Sequence, residues 1–404
     1  MLKFANLDDL PPDAKTVLVR SDLNVPMYDG AISDDFRIRS AVPTLEALAE
    51  RGAKVVVMSH FGRPDKKSKK YSLEPVADRL ADMTQVPVGF VASLVGRAAK
   101  TAIAEMAPGS ILVLENTRFQ AGETANDGEL AAKLSGLADA FVLDAFGTAH
   151  RAHASTVGVG EHLPSFAGLL LQKELEAIGT LLEEPPRPFV VLLGGAKVSD
   201  KIAVLTALLP RVDAMLIGGG MCFTLMKAAG IAVGTSLLED EMVPRMRELL
   251  ASADGAKIVL PEDIVVAAEF AEDADPLVVA AGEIPKGSMG LDIGPITASR
   301  YSDIIKEARS VFWNGPMGVF EWPNFRAGTE AVAHAVAKSD AFSVVGGGDS
   351  VAALRLLELE DEVSFVSTGG GAGLELLEGQ DLPGLAMLER SMDNHSTMDG
   401  ARDG

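Results

Sequence analysis

Residues 189–201 read FVVLLGGAKVSDK, a run of apolar residues followed by two glycines and two lysines four positions apart. An apolar run without alternation is typical of a strand buried on both faces, as in parallel sheets. Glycines directly after such a strand let the backbone approach a ligand, often at the start of a phosphate-binding helix. We predict a strand over 189–193 and a helix beginning near Val198, with Lys197 at its start and Lys201 in its first turn.

Two lysines at the start of a helix are unfavourable, because they face the positive end of the helix dipole and repel each other. A bound phosphate would turn both interactions into attraction. The segment lacks the spacing GxxxxGK[ST], and no GxGxxG opens a helix in a nucleotide-binding context. A P-loop NTPase and a Rossmann dehydrogenase are therefore disfavoured.

The composition indicates a large globular protein. With 404 residues, 48% hydrophobic and 5% aromatic, the chain is long enough for two domains packed with small aliphatic side chains. A formal net charge of −21 excludes a general nucleic-acid-binding surface, since such a surface must be positive. The single Cys222 excludes an internal disulfide, and we expect it in the core.

The first residues, MLKFANLDDLPPD, contain acids and prolines where a signal peptide needs an unbroken apolar region. The uncharged run at 214–226 is too short to span a bilayer and predicts a strand entering a glycine loop. We expect a cytoplasmic protein that does not bind membranes.

Short apolar runs recur between helical patterns in both halves of the chain, which favours βαβ units and parallel sheets. The predicted strands are 16–20, 53–59, 111–115, 140–144, 189–193, 214–217, 257–260, 310–313 and 342–345. The predicted fold is α/β, with two domains, each a doubly wound parallel sheet flanked by helices, joined by a long helix with a hinge.

The domain boundaries are predicted from one helical pattern. Apolar residues recur at helical spacing over 166–184, and three prolines in PPRP then stop the helix. We assign residues 1–168 to an N-terminal acid-substrate domain. Residues 169–187 form the connecting helix and linker, and 188–373 form a nucleotide-binding domain.

Polar and cationic residues follow the strands of the first half. In open parallel sheets, ligands bind beyond the carboxyl ends of strands. The guanidinium group of arginine forms paired hydrogen bonds with phosphate and carboxylate oxygens. The convergence of several arginines therefore predicts a small, multiply charged acid as the ligand. Of Arg37 and Arg39, we expect only one to reach the site. The residues that follow the strands are Arg20, Asp22, Asn24, His60, Arg63, Asn116, Arg118, Arg151 and His153.

Glycine-rich segments follow the strands of the second half, which predicts a nucleotide whose phosphates lie against backbone amides. These segments are 194–196, 218–220, 313–318, 346–350 and 368–373. Asp349 is the best candidate ligand for the Mg²⁺ that accompanies a nucleotide, because magnesium prefers hard oxygen ligands. Its alternative role is helix N-cap. Glu321 could accept hydrogen bonds from ribose hydroxyls.

Several motifs in this order resemble those of phosphoglycerate kinase. They are RSDLNVPM, SHFGRP, LENTRF, DAFGTAHRAHAS, LLGGAKVSDKI, WNGPMGVFE, GGGDS and STGGGA, between about residues 16 and 373. The resemblance implies a two-domain glycolytic enzyme, in which the C-terminal segment 374–404 returns to join the first domain. It would transfer phosphate reversibly from 1,3-bisphosphoglycerate to ADP, giving 3-phosphoglycerate and ATP, with Mg²⁺ bound to the nucleotide.

The resemblance also implies site residues. Those for the acid substrate are Asp22, Asn24, Arg37, His60, Arg63, Arg118 and Arg151. Those for the nucleotide are Gly194, Ala196, Lys197, Lys201, Gly219, Asn314, Pro316, Val319, Glu321, Gly346, Gly347, Gly348, Asp349 and Ser350. Catalytic roles fall to Arg37, Lys197, Gly347 and Gly370, and the family pattern implies a monomer with small-molecule substrates only.

Transfer to or from an ionised carboxylate needs no general base, so we expect catalysis by positioning, charge neutralisation and hinge closure. Two other hypotheses remain open at this point. One is a non-catalytic nucleotide-binding scaffold with the same fold. The other is a kinase for a different small carboxylic acid, because arginine clusters recognise charge more than carbon skeleton.

Overall fold

The computed structural model describes residues 4–399, with side chains described to residue 393. This part of the chain divides into two compact units. The first unit runs to Glu176 and resumes at Asp381, and the second spans Ala177–Gln380. Within residues 4–399, no helix is long and apolar enough to cross a membrane.

A six-stranded sheet forms the centre of the first unit. Its strands are β1 (Thr16–Ser21), β4 (Lys54–Met58), β5 (Val88–Val91), β6 (Ile111–Leu114), β7 (Ala140–Asp144) and β8 (Ser165–Ala167). A separate hairpin is formed by β2 (Met27–Tyr28) and β3 (Ala31–Ile32). The sheet order is β5-β6-β4-β1-β7-β8, and all neighbouring strands are parallel. The order reverses direction at β1, which places a topological switch point there.

The helices of the first unit include α1 (Phe36–Glu50), α2 (Glu74–Met83), α3 (Arg97–Glu105) and α4 (Gly128–Ser135). Helix α5 (Leu169–Leu182) begins in the first unit and ends in the second. Helix α1 buries Ile38, Leu45 and Leu48, which lie on one helical face. These side chains pack with Val17 and Val55 of the central strands to form the core.

The second unit repeats this architecture. Its strands are β9 (Phe189–Leu193), β10 (Ala214–Ile217), β11 (Ile258–Val259), β12 (Asp263–Ala267), β13 (Leu277–Ala280), β14 (Met289–Ile293), β15 (Ser310–Asn314), β16 (Phe342–Gly346) and β17 (Phe365–Val366). Six of them form a parallel sheet in the order β11-β10-β9-β15-β16-β17, which reverses direction at β9. The other three form an antiparallel sheet, β13-β12-β14, that the sequence analysis did not predict.

Helices of the second unit follow its strands along the chain. They are α6 (Ile202–Leu208), α7 (Met221–Ala228), α8 (Val243–Leu250), α9 (Pro295–Glu307), α10 (Ala327–Lys338), α11 (Gly348–Leu356) and α12 (Gly371–Leu377). The fully buried Trp313 of β15 packs with Tyr301 of α9 and Val332 of α10. Cys222 is a buried free thiol, as expected.

The last helix, α13 (Pro383–Asp399), packs on β8 in the first unit. Ser391 of α13 accepts a hydrogen bond from Ser165 N at 3.0 Å, which ties the helix to that edge of the sheet. The final residues 400–404 of the predicted returning segment lie outside the described part of the chain.

The predicted fold class is confirmed: both units contain an all-parallel, helix-flanked sheet. The details differ at the connection. Phe166 belongs to β8 and not to the helix, because it pairs with β7. The boundary between the compact units lies inside α5, and residues 374–380 belong to the second unit, where α12 packs on α6.

Asp263 should be a strong determinant of stability in the second unit. This buried residue of β12 accepts hydrogen bonds from Ile296 N at 3.0 Å, Thr297 N at 2.8 Å and Thr297 Oγ1 at 2.7 Å, at the start of α9. Asp263→Ala leaves the amides of Ile296 and Thr297 without this acceptor, whereas the Thr297 hydroxyl keeps the backbone oxygen of residue 263 at 3.1 Å. The substitution should lower the free energy of unfolding by roughly 2–4 kcal/mol. Denaturant unfolding measures the change.

The matched control is Asp303→Ala, on the exposed face of the same helix, which should change stability by less than about 0.5 kcal/mol. Equal effects of the two substitutions would contradict the capping role of Asp263.

Candidate active site

The carboxyl end of β1 is the centre of a buried polar cluster in the first unit. Arg20 of β1 is fully buried, and its Nε donates to Ser155 Oγ at 2.9 Å. Its Nη2 lies 3.2 Å from Nδ1 of His60, which follows β4. Because β1 and β4 are parallel neighbours in register, their ends bring Arg20 and His60 together.

Asp22, just beyond β1, supplies negative charge to this cluster. Its carboxylate pairs with Arg37 of α1 and lies 3.8 Å from His60 Nδ1. Burial would raise the pKa of Asp22, but the charge of Arg37 and of other nearby groups outweighs burial and lowers that pKa. Arg39 pairs with Asp35 at 2.9 Å. Arg37 therefore joins the cluster, and Arg39 does not.

Three further arginines lie close enough to repel one another. Arg118 follows β6, and its Nη1 donates to Gly62 O. Burial first, and then repulsion by Arg151, Arg20 and Arg63, lowers the pKa of Arg118. Its buried Nε has no hydrogen-bond partner within the described part of the chain. Such a group of cations is suited to an anion, which would relieve the repulsion and supply acceptors.

Asn24 and Arg151 complete the set that was predicted for the acid substrate. Asn24 Oδ1 accepts from Gly62 N at 2.8 Å and so fixes the loop after β4. Arg151 is half-buried, with its Nε 2.9 Å from His150 Nε2. The predicted acid-site residues thus come from the segments after the central strands and from the start of α1.

A buried carboxylate that the sequence analysis missed supports this cluster. Glu123 is fully buried and accepts from Ser155 N at 3.1 Å and Ser155 Oγ at 2.6 Å. Because Ser155 also accepts from Arg20, hydrogen bonds connect Glu123 to Arg20. His153 Nδ1 lies 3.8 Å from Glu123 Oε1. Glu123 does not directly follow a strand, so the rule that selected the other residues could not find it.

A cavity of about 470 Å³ lies in the second unit, where the segments after β9, β10 and β15 meet. The exposed apolar side chains Leu237 and Phe270 and the strand β14 form walls that the sequence analysis missed. A largely apolar lining with a few polar groups suits the base of a nucleotide. The predicted nucleotide residues that line the cavity are Ala196, Gly219, Pro316, Val319, Glu321 and Asp349.

The glycines after β9 and β10 let neighbouring loops approach one another. A Cβ on Gly194 would lie 2.0 Å from Pro316 O, and Gly219 has a φ of 64°. The amide of Gly194 donates to Asn314 O at 3.0 Å, and that of Gly219 donates to Met317 O at 2.8 Å. These two amides are therefore not available to a phosphate.

The glycines after β16 and β17 have a different role, because they open helices. Gly346 ends β16, Gly347 precedes α11 with a φ of 89°, and Gly348 begins that helix. Gly370 precedes α12 with a φ of 52°. A Cβ on Gly348 or Gly370 would meet nothing within 4 Å. Amides in the first turn of a helix lack a partner within the helix, so the start of α11 can receive a phosphate.

The helix after β9 begins later than predicted. It starts at Ile202, preceded by Lys201, whereas the sequence predicted a start near Val198. Residues 198–201 form a turn instead, in which Lys201 N donates to Val198 O at 3.0 Å. The carboxylate of Glu239 accepts hydrogen bonds from the amides of Val198 and Ser199 in this turn.

Lys197 and Lys201 have different surroundings. Lys197 is exposed in the turn. Lys201 is half-buried, and its Nζ donates to Asn314 Oδ1 at the end of β15. Burial lowers the pKa of Lys201. The negative charges of Asp200 and Asp349 raise that pKa, but they do not outweigh the effect of burial. Lys197 is thus exposed to solvent, whereas Lys201 is held by Asn314.

The first turn of α11 carries Asp349 and Ser350. Ser350 is fully buried, and its Oγ accepts from Gly315 N at 2.5 Å, so it holds the loop after β15. Asp349 is exposed at the cavity. Residues 4–393 contain no group of three or more His, Cys, Asp or Glu that could hold a metal. A metal at Asp349 would need further oxygen ligands from a substrate and water, which is the usual pattern for Mg²⁺.

Residues 7–380 match the family model described as phosphoglycerate kinase. The chain belongs to the phosphoglycerate kinase family. It is 54% identical over 399 residues to the phosphoglycerate kinase of Salinispora tropica, covering 96% of this chain and 100% of that protein. It is 51% identical over 388 residues to that of Clostridium perfringens, covering 95% and 98%.

Solved structures of phosphoglycerate kinases resemble this chain. The Coxiella burnetii structure has a TM-score of 0.84 and 41% identity, covering 96% of this chain and 99% of that one. The Pyrococcus horikoshii structure has a TM-score of 0.85 and 34% identity, with the same two coverages. These matches confirm the family that the motifs indicated.

Family membership establishes the reaction class. Phosphoglycerate kinase is a glycolytic kinase that reversibly transfers a phosphoryl group between 1,3-bisphosphoglycerate with ADP and 3-phosphoglycerate with ATP. The sequence analysis predicted this enzyme and this reaction.

His60 should remain neutral throughout the physiological pH range. Burial is the main cause that lowers its pKa to about 3, and Arg20, Arg118 and Arg37 oppose its protonation further. The folded pKa is below the ordinary 6.5, so His60 contributes stability above pH 6.5, and this contribution is lost as the pH falls toward 3. An NMR titration of the ring protons, assigned with His60→Gln, should show no midpoint between about pH 5 and pH 8.

A small anion bound among these arginines would raise the pKa of His60, because it would reduce their repulsion of the imidazolium. A ligand-free midpoint near 6.5 would contradict the burial and the charge arrangement described for His60.

Proposed function

We propose that the first unit binds the phosphoglycerate substrate and the second binds the nucleotide in the phosphoglycerate kinase reaction. The observation that carries this assignment is the contrast between the two sheet ends. The first gathers arginines around Asp22 and His60. The second surrounds an apolar cavity with glycine loops and lysines.

The acid substrate carries a carboxylate and a phosphate, and the first unit supplies donors for both. Arg118 has an unpartnered Nε, and Arg63 and Arg151 lie near enough to lower its pKa. Arginine forks bind such oxygens in bidentate geometry. Asp22 orients Arg37 and can accept a hydrogen bond from a substrate hydroxyl, while neutral His60 and Asn24 add further polar contacts.

The nucleotide base would occupy the apolar cavity, and its phosphates would extend toward α11 and the lysines. Gly347 and Gly348 provide helix-opening amides, and Lys201 provides a charge fixed on Asn314. Gly194, Gly219 and Ser350 would act indirectly, because their polar groups hold the loops that shape the cavity.

Mg²⁺ fits the carboxylate of Asp349 as one protein ligand, with the nucleotide supplying the others. Asp349 is exposed at the cavity, beside the start of α11. When bound, the ion would neutralise phosphate charge and orient the phosphates for transfer. The alternative role of Asp349, helix N-cap, falls to Gly347 instead, and Asp349 lies two residues further on in the first turn of α11.

Transfer requires positioning and charge neutralisation more than proton transfer, because the accepting carboxylate of 3-phosphoglycerate is already ionised. During in-line displacement, negative charge lies on the transferring phosphoryl group. We assign the stabilisation of this charge to Lys197, Arg37 and the backbone at Gly347 and Gly370. Lys197 suits this role because it is exposed, carries a mobile charge and lies outside the fixed Lys201–Asn314 pair.

The two substrates must meet for transfer, so this assignment calls for bending around α5 that also excludes water. We further propose a cytoplasmic monomer that acts on small molecules. The glycolytic reaction supports the location, and the net charge of −21 argues against nucleic acid as a partner.

Lys197→Ala should abolish most turnover while preserving the fold. Loss of one preorganised donor to a developing charge costs roughly 10²–10³-fold in kcat, or about 2.7–4 kcal/mol. A coupled assay of ATP- and Mg²⁺-dependent phosphorylation of 3-phosphoglycerate measures the loss. Lys286→Ala, at an exposed lysine of the same unit, is the matched control and should match the wild type.

The wild-type assay also separates the alternatives. Mg-nucleotide binding without turnover would favour the scaffold hypothesis, and turnover of unphosphorylated glycerate in preference to 3-phosphoglycerate would favour a different acid. Equal activity of Lys197→Ala and the wild type would contradict the role assigned to this lysine.

Asp349→Asn should raise the Mg²⁺ concentration required for half-maximal activity and leave the KM for 3-phosphoglycerate unchanged, because the acid binds the other unit. Asp340→Asn, an exposed acid near the start of β16, serves as the control. An unchanged Mg²⁺ requirement in Asp349→Asn would show that this carboxylate is not a ligand.

A further inference from the structure

Glu239 is a largely buried acid that has no place in the site assigned so far. It is 9% exposed, and its carboxylate reaches the turn after β9. Oε1 accepts from Ser199 Oγ at 2.5 Å, and Oε2 accepts from Ser199 N at 3.0 Å. A further hydrogen bond comes from Val198 N. One carboxylate thus satisfies both backbone donors in the middle of this turn.

The same turn carries both lysines of the nucleotide site. Lys201 N donates to Val198 O at 3.0 Å, which closes the turn between Lys197 and Lys201. Burial would raise the pKa of Glu239, but the hydrogen bonds from Ser199 and Val198 and the charge of Lys197 outweigh burial and lower that pKa. The carboxylate is therefore ionised at neutral pH and attracts the turn that bears Lys197.

Glu239 is itself anchored to the cavity. Its amide donates to Thr224 Oγ1 at 3.2 Å, in α7. Two residues earlier, Leu237 lines the cavity and lies against Gly220, where a Cβ would come within 2.9 Å of the leucine side chain. The segment that ends at Glu239 thus contacts both the cavity wall and the lysine turn.

We infer that Glu239 is a positioning residue that holds the turn between Lys197 and Lys201, so that Lys197 points where the transferred phosphoryl group will lie. This inference rests on the proposed function, in which Lys197 meets that group. A turn anchored at Val198 and Ser199 restricts the region that the Lys197 side chain explores. Restriction of this kind lowers the cost of reaching the transition state.

The same hydrogen bonds determine what the turn can offer a phosphate. Because Glu239 takes the amides of Val198 and Ser199, the turn contributes its lysine side chains and not these two amides.

The test compares Glu239→Gln with Glu241→Gln in the full-length protein. Glu239→Gln keeps the size of the side chain but removes its charge and one acceptor. It should lower kcat for ATP-dependent phosphorylation of 3-phosphoglycerate by roughly ten- to a hundredfold. The KM for 3-phosphoglycerate should not change. Glu241→Gln, at an exposed acid two residues further on, should behave as the wild type.

A second comparison separates positioning from a general effect on folding. If Glu239 acts through Lys197, then Glu239→Gln should change kcat by less than about twofold in a Lys197→Ala background. If the fold-losses in kcat of the two single variants multiply in the double variant, the inference is overturned. Ser199→Ala removes the hydroxyl donor but keeps both amide hydrogen bonds, so its kcat should lie between those of the wild type and Glu239→Gln.

The outcomes also distinguish this inference from the function on which it rests. No turnover by the wild type would overturn both. Wild-type turnover with unchanged kcat in Glu239→Gln and Ser199→Ala would overturn only the positioning role. If Glu239→Gln does not fold, Ser199→Ala decides: a lowered kcat that vanishes in the Lys197→Ala background supports the inference, and an unchanged kcat overturns it.

Discussion

Carboxylates hold the cationic side chains of both sites in place. In the first unit, Asp22 pairs with Arg37, and Glu123 reaches Arg20 through Ser155. In the second, Glu239 fixes the turn that bears Lys197. Cations that repel one another must be compensated when no substrate is bound. These acids supply that compensation.

Parallel sheets explain why the sites form where they do. In a parallel sheet, the carboxyl ends of all strands lie along one edge, so residues far apart in sequence meet there. Arg20 and His60 meet because β1 and β4 are neighbours, and Lys201 reaches Asn314 because β9 and β15 are neighbours. The chemistry differs between the units because the segments that follow the strands differ. In the first unit these segments carry polar and charged side chains, and in the second they consist mainly of glycines.

The sequence predicts the central strands well, since runs such as 189–193 and 310–313 are apolar on both faces. It misses β5 and β8, because one is partly exposed and the other is only three residues long. It misses the antiparallel sheet β13-β12-β14, in which the outer strand β13 is largely exposed but β12 is a fully buried run. Local pattern cannot reveal a strand whose stability depends on pairing with distant segments.

The site shows the same division. Residues that closely follow strands, such as Asp22 and His60, could be selected as candidates from sequence because the fold class fixes their location. Glu123 and Glu239 could not, because they act across long sequence separations and follow no strand directly. The role of Gly194 also needed the structure, since a glycine that admits a phosphate and one that admits a neighbouring carbonyl look alike in sequence.

The central claim is that the acid and the nucleotide bind to different units. TROSY NMR of the 42.3 kDa protein tests it by mapping amide shifts with each ligand added alone. We expect 3-phosphoglycerate to perturb the amides around Asp22, His60 and Arg118, and Mg-ADP to perturb those around the 470 Å³ cavity and the start of α11. Perturbation of the cavity loops by 3-phosphoglycerate, with the arginine cluster unchanged, would contradict the claim.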